Sequence, residues 1–360
     1  MRLARIIGLL GVTSLGTAQV HRTRAMVPSD DQIREILAER IDREHESVGI
    51  VVGVIDRDGA RVVAYGRPDT YDGRTVNGDT VFEIGSLTKI FTSLLLTEKA
   101  ERGEISLADP ISKYLPVNSS ITLEQLATNT SGLPRNPGNL AREDRGNPFA
   151  GYTRQMLLRA VPARAEPHWE YSNFGYGLLG EALTPDYDRA IHQYITEPLN
   201  MGDTRVALAR DNKVRLAAGH DEHLAPVPQS DFGALAAAAG LRSTANDLLK
   251  LLSAFLGYTS SPLAPAMAAM LEARTPTTQA GLVNAMGWQI STPDGFEVVW
   301  KDGTTAGFAS FLGYNRGLGT GVVVLSNAST RQGVNDIGMH LLDSASPFFQ
   351  LPHRAAAHIQ

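Results

Sequence analysis

Three short patterns carry side chains suited to acyl transfer. The first is Ser86-Leu87-Thr88-Lys89, preceded by Phe82-Glu83-Ile84-Gly85 and followed by an apolar run over 90–96. A spacing of three puts Ser86 and Lys89 on one face of a helix, one turn apart. Gly85 and Ser86 fall where that helix would begin, so their amides lack intrahelical partners and sit at the positive end of the dipole. An oxyanion is favoured there. A Ser hydroxyl is a weak nucleophile that needs a base within hydrogen-bond reach, and Lys89 can supply or share that role. Taken alone, the four residues equally describe an N-cap Ser with a solvated Lys. About one chance Ser-x-x-Lys is expected in a chain of this length.

The second pattern is Tyr171-Ser172-Asn173, inside the aromatic stretch 169–177. A phenol titrates near 10, and two neighbouring ammonium groups would lower it by favouring phenolate. Tyr171 could then relay a proton between the Ser hydroxyl and a leaving group. Asn173 offers a donor and an acceptor, suited to tethering a Lys and a substrate amide. The third is Lys301-Asp302-Gly303-Thr304, after a strand-like run over 296–300. Alternation points Lys301 and Gly303 to one face and Asp302 to the other. Gly303 admits close approach of a substrate backbone, and the Thr304 amide can give the second oxyanion hydrogen bond. Lys301 would hold a substrate carboxylate. In isolation the second pattern is an aromatic turn at a core edge and the third a strand-end turn. Ser-x-x-Lys, Tyr-x-Asn and Lys-x-Gly each occur once, in that order.

The elements that must position these residues lie in two textures. Apolar residues at Ile33, Ile36, Leu37 and Ile41 give a helical period over 30–45. Val-rich runs at 48–55 and 60–65 flank Asp56-Arg57-Asp58-Gly59, a hairpin signal. Three further strands read at 296–300, 309–314 and 321–325, with a last helix over 333–342. Between them helical stretches dominate, at 88–102, 123–127, 154–159, 175–183, 245–255 and 265–273. This predicts an α/β (α+β) fold: an antiparallel sheet flanked by the terminal helices, an all-helical lobe, and a site in the cleft between them. The discontinuous α/β lobe is expected over 30–105 and 275–345, and the helical lobe over 106–274.

Composition narrows the chemistry. The 360 residues are 43% hydrophobic and 20% charged, as in an ordinary globular protein rather than a disordered one. A formal net charge of -5 carries no basic excess for nucleic acid. The absence of Cys removes thiol nucleophiles, thiolate metal sites and Fe–S clusters. Basic residues, an apolar core over 6–15 and Gly16-Thr17-Ala18 make 1–18 read as a secretory signal peptide, which predicts a periplasmic or secreted location. The apolar core is too short to span a bilayer, so no stable membrane anchor is expected.

Together the patterns resemble the serine β-lactamase and penicillin-binding-protein superfamily, nearest its class C-like branch, which includes family VIII esterase-like members. The likeness runs from 48 to 342 and includes Asn129-Thr130-Ser131-Gly132-Leu133-Pro134 and Gly240-Leu241-Arg242-Ser243-Thr244. It implies the β-lactamase/transpeptidase-like fold, with Ser86 as the acylated nucleophile and Lys89 as its base or proton partner. Tyr171 becomes the second proton-transfer group, Asn173 a positioning group and Lys301 the carboxylate or proton-network residue. The amides of Ser86 and Thr304 would form the oxyanion hole. The acylation base stays open between Lys89 and Tyr171. The reaction implied is β-lactam hydrolysis through a Ser86 acyl-enzyme, on a small-molecule substrate and without metal or cofactor. Alternatives are a carboxylesterase, a D-alanyl-D-alanine carboxypeptidase and a non-catalytic scaffold.

The chain departs from the family pattern in places. Asp302 stands where the best-known members carry Thr, and its charge should weaken anion binding beside Lys301. Many relatives in this branch carry His in place of Lys301. Thr184-Pro185-Asp186 interrupts a helix that relatives continue. Asn136 is the nearest candidate for a class C Gln that contacts the substrate amide. His220 and His223 read as loop residues rather than a metal pair, and 234–239 as a packing segment without function.

Overall fold

The computed structural model describes residues 27–140, 147, 149–162 and 165–342; the leader reading over 1–18 lies outside them. Eight strands form one antiparallel sheet: β1 (Gly49–Asp56), β2 (Gly59–Gly66), β3 (Thr275–Pro276), β4 (Leu282–Asn284), β5 (Gln289–Ser291), β6 (Val298–Thr304), β7 (Ala309–Asn315) and β8 (Thr320–Ser326). Their order is β2-β1-β8-β7-β6-β5-β4-β3. The Asp-Gly hairpin forms as its residues demand, with Asp56 opposite Gly59 at φ +126°. The C-terminal meander joins the N-terminal hairpin at mid-sheet, where Ile50 pairs Ser326 and Ile55 pairs Gly321.

β1 is buried on both faces, and its alternation divides the core in two. Ile50, Val52 and Val54 pack with Ile33 and Leu37 of helix α1 (Asp30–Ala38). The same cluster takes in Ile337 and Leu341 of the C-terminal helix Asn335–Leu342. Val51 and Ile55 belong to the opposite core, with Leu248, Leu249 and Leu252 of the helix Ala245–Leu256. That helix, grouped by chain position with 106–274, lies against β1 and β8 and covers the second face of the sheet. Ser29 starts α1 through a capping box with Gln32. Beyond α1, Arg40 pairs with Asp336 at 2.5 Å and donates to the Gly333 carbonyl at 2.8 Å, pinning the two ends of the chain together.

The strand expected at 296–300 instead spans Val298–Thr304, so the third motif lies inside β6 and not in a turn after it. Asp302-Gly303 has turn chemistry, but the ladder overrides it, with Asp302 opposite Phe311 and Gly303 opposite Ser310. The short strands β3 to β5 carried no readable pattern, each being three residues or fewer.

Helix α2 (Thr88–Glu101) is the central rod of the helical layer. Eleven of its residues, Thr88 through Glu98, are buried, and it packs on helices α3 (Asn173–Leu183), α4 (Ala236–Ala239) and Ala264–Ala269. This all-round burial explains why no polar face marks it.

Candidate active site

The site is assembled where the start of α2, the end of β6 and the loop before α3 meet. Gly85-Ser86-Leu87 makes one tight turn into α2. Gly85 takes φ +49°, and a Cβ there would lie 2.7 Å from the Thr304 nitrogen. A Cβ on Gly303 would lie 2.2 Å from the Ile84 carbonyl oxygen and 3.0 Å from the Ser86 nitrogen. Two glycines therefore allow the helix start and the strand to touch, which brings the amides of Ser86 and Thr304 to one place.

The sheet register aims the second amide. Thr305 N–H donates to Phe308 at 3.0 Å, toward β7, and antiparallel alternation turns the Thr304 N–H to the other edge. Pairing of β6 with β5 ends at Trp300, so that edge faces the Ser86 turn.

The loop carrying Tyr171 is tied to the 129–136 loop. Glu170 N–H donates to the Asn129 carbonyl at 2.9 Å, Ser172 N–H to Asn129 Oδ1 at 3.0 Å, and Asn173 N–H to the Arg135 carbonyl at 2.8 Å. Ser172 Oγ donates to the Pro134 carbonyl and accepts from Gly175 N–H as the N-cap of α3, both at 2.8 Å. These bonds fix Tyr171 and Asn173 one residue either side of the cap.

The convergence is close. Tyr171 Oη lies 2.7 Å from Ser86 Oγ, and Lys89 Nζ lies 3.4 Å from the same oxygen. Lys89 is 1% exposed and donates to Asn173 Oδ1 and the Ala238 carbonyl, both at 2.8 Å. Asn173 Nδ2 donates in turn to Asn136 Oδ1 at 3.1 Å, so the residue nearest the expected Gln position does stand at the site. Lys301 Nζ sits 4.9 Å from the Tyr171 ring centroid and 3.4 Å from Asp302 Oδ1. Asp302 also accepts from Asn335 Nδ2 at 3.4 Å, toward the C-terminal helix and away from Ser86.

Electrostatics follow from this packing. Burial raises the Tyr171 phenol, but the charges of Lys301 and Lys89 and hydrogen bonds from Lys89 and Ser86 outweigh it and hold the group at about 7. Burial lowers Lys89 to about 8, with Tyr171 pulling it up and Lys301 and Arg135 pushing it down. Phenol and amine are thus both drawn toward neutrality, close enough to share a proton, and the two cations beside Tyr171 favour its ionised form. A phenolate 2.7 Å from a hydroxyl can accept its proton, and two converging amides can hold the resulting oxyanion.

Two contributors were invisible in the sequence. The 234–239 run, read as packing alone, supplies the Ala238 carbonyl to Lys89 and the Ala237 carbonyl to Thr92 Oγ1 at 2.6 Å. Backbone acceptors leave no mark in residue type. Arg135 stands with its guanidinium carbon 5.0 Å from the Tyr171 centroid. His220 and His223 separate: His220 is buried against the Asn327 carbonyl, whereas the His223 side chain is 81% exposed.

The family model described as Beta-lactamase matches residues 30–344. D-alanyl-D-alanine-carboxypeptidase/endopeptidase AmpH of Escherichia coli (strain K12) is 29% identical over 331 residues, covering 81% of this chain and 84% of its own. A β-lactamase of Pseudomonas fluorescens is 25% identical over 343 residues, covering 82% and 93%. The crystal structure of a class C β-lactamase from Rhodobacter sphaeroides has a TM-score of 0.75 at 27% identity, covering 88% of this chain and 98% of that one.

Proposed function

The chain belongs to the Beta-lactamase family of serine hydrolases, and from that membership we propose that it hydrolyses β-lactams through an acyl-enzyme on Ser86. Ser86 Oγ attacks the lactam carbonyl as its proton passes to the Tyr171 phenolate, and the carbonyl oxygen becomes an oxyanion between the Ser86 and Thr304 amides. Collapse breaks the C–N bond, and Tyr171 returns the proton to the departing nitrogen. Water then adds to the ester and releases Ser86. Lys89, held as an ammonium by Asn173 and Ala238, keeps the phenolate populated and fixes its position. The observation that carries this reading is the 2.7 Å approach of Tyr171 Oη to Ser86 Oγ, shorter than the 3.4 Å to Lys89. It favours Tyr171 over Lys89 as the acylation base. Asn173 and Asn136 flank the acyl amide, and Lys301 and Thr304 line the strand side.

The 29% identity to a D-alanyl-D-alanine-carboxypeptidase/endopeptidase favours a second reading, cleavage of D-alanyl-D-alanine peptides by the same acyl-enzyme. Turnover of the adduct separates the two. Intact-mass measurement after mixing with a labelled penicillin should show an adduct on Ser86, absent in Ser86→Ala. Rapid regeneration of free enzyme with a cephalosporin supports the β-lactamase, and a long-lived adduct with D-alanine release from a peptide supports the peptidase. Turnover of a p-nitrophenyl ester alone would favour an esterase, and no adduct on the wild type would sink the acyl-enzyme. The leader-like 1–18 segment supports a periplasmic or secreted location. No helix among the described residues is long and apolar enough to cross a membrane.

A further inference from the structure

Lys301, the residue that family resemblance offers as the carboxylate anchor, is poorly placed for that work. Its side chain is 4% exposed and its ammonium faces Asp302 Oδ1 at 3.4 Å. Its field is therefore partly cancelled, and it has little open surface to offer a ligand. At the same Tyr171 ring Arg135 has the opposite character. It is exposed, it lies 5.0 Å over the Tyr171 ring, and among the described residues it pairs with no carboxylate. Its backbone is fixed by hydrogen bonds from Asn173 and to Glu170 Oε1 at 3.2 Å, so the side chain projects from an ordered loop.

We propose that Arg135 recognises a carboxylate on the leaving-group side of the substrate, and that anion recognition has shifted from β6 to the helical rim. This rests on the reading of Ser86 as the acylated residue. Tyr171 hands its proton to the leaving group, so a guanidinium over the Tyr171 ring borders the space that group occupies. Asn136 and Asn173, joined to each other at 3.1 Å, leave the neighbouring side for the acyl amide. A guanidinium presents two parallel N–H groups that match a carboxylate, and stacking on an aromatic face pre-orders it. Lys89, Lys301 and Arg135 stand around the Tyr171 ring, with Asp302 beside Lys301 and Glu170 at the Arg135 backbone, and of the three cations only Arg135 is exposed. A substrate with an anionic leaving group, such as a peptide ending in a free carboxylate or a bicyclic β-lactam acid, meets that charge.

The test compares two esters of one N-acylglycine that differ only in the leaving phenol, 3-hydroxybenzoate or 3-hydroxybenzamide. Wild-type enzyme should favour the carboxylate ester by about tenfold in kcat/KM, the span of a charge-assisted bidentate contact. In Arg135→Gln the ratio should fall to within about twofold of unity, and Arg135→Lys should keep an intermediate ratio. Added salt should shrink the wild-type preference, because the group is exposed. A ratio unchanged in Arg135→Gln, or one that collapses in Lys301→Met instead, overturns the proposal. Calorimetric titration of Ser86→Ala with both esters reads recognition without turnover. Tighter binding of the carboxylate ester that disappears in Ser86→Ala/Arg135→Gln supports Arg135 even if no ester is hydrolysed, an outcome that would count against the acyl-enzyme alone. Equal binding of the two esters refutes Arg135 as the anchor.

Discussion

Replacing Lys301 by Met should move the acidic limb of the activity profile upward. Lys301 Nζ lies 4.9 Å from the Tyr171 ring centroid, and after burial it is the strongest influence on a phenol held at about 7. A phenolate charge shared between ring and oxygen, taken at roughly 5 Å from the ammonium, interacts with it by about 3 kcal/mol at an effective dielectric of about 20. Solvent reaching a half-buried ring reduces this to about 2 kcal/mol, worth between about one and two pH units. Met keeps the length and the buried stem but removes the charge. It also takes away the cation facing Asp302, and the field of that carboxylate acts in the same direction. The assay is kcat/KM for a neutral ester across the neutral and alkaline range, so that recognition of an anionic substrate does not enter. The tyrosinate absorbance band, titrated in parallel, follows the phenol directly. Phenolate must form before Ser86 can lose its proton, so activity in the wild type should rise through about pH 7 and in K301M only above pH 8. An acidic limb that stays near 7 in K301M would show that Lys301 does not set the ionisation of Tyr171.

Three further outcomes are expected. Tyr171→Phe should lower kcat/KM by about 10²–10⁴ and abolish the limb near 7, because the proton acceptor of Ser86 is gone while the ring remains. Gly85→Ala should lower kcat by about 10², since its Cβ would lie 2.7 Å from the Thr304 nitrogen and force apart the two oxyanion donors; circular dichroism should show the fold retained with a lower Tm. Arg40→Ala should cost about 3–5 kcal/mol in urea unfolding by leaving Asp336 buried without its partner, while Arg40→Met with Asp336→Leu should recover most of the loss.

The side chains that converge were more legible than the architecture around them. Ser86 and Lys89 could be joined from spacing, because a helix fixes where a residue three positions on will stand. The Asp-Gly hairpin, the long strands of the meander and the capped first helix carry equally local signals. Arg135 escaped notice because its role depends on the face of a ring 36 positions away. Ala238 escaped because the acceptor is main chain. The helix Ala245–Leu256 was legible as a helix, but its choice of the sheet over the helical layer is a packing decision, made where Gly53 leaves room for Leu249. Strands β3 to β5 are too short for alternation to register and exist because β6 offers an edge.

Local periodicity and side-chain chemistry reach only a few residues along the chain, and within that reach the helices, the hairpin and the three short motifs were already specified. Distances between the motifs are another matter. Lys89 and Lys301 come within 5 Å of the Tyr171 ring centroid only once β1 and β8 share a sheet and α2 is buried along most of its length. The charges of Lys301 and Lys89 and the hydrogen bonds at that junction, which no single segment carries, outweigh desolvation and bring the phenol from an ordinary value near 10 to about 7.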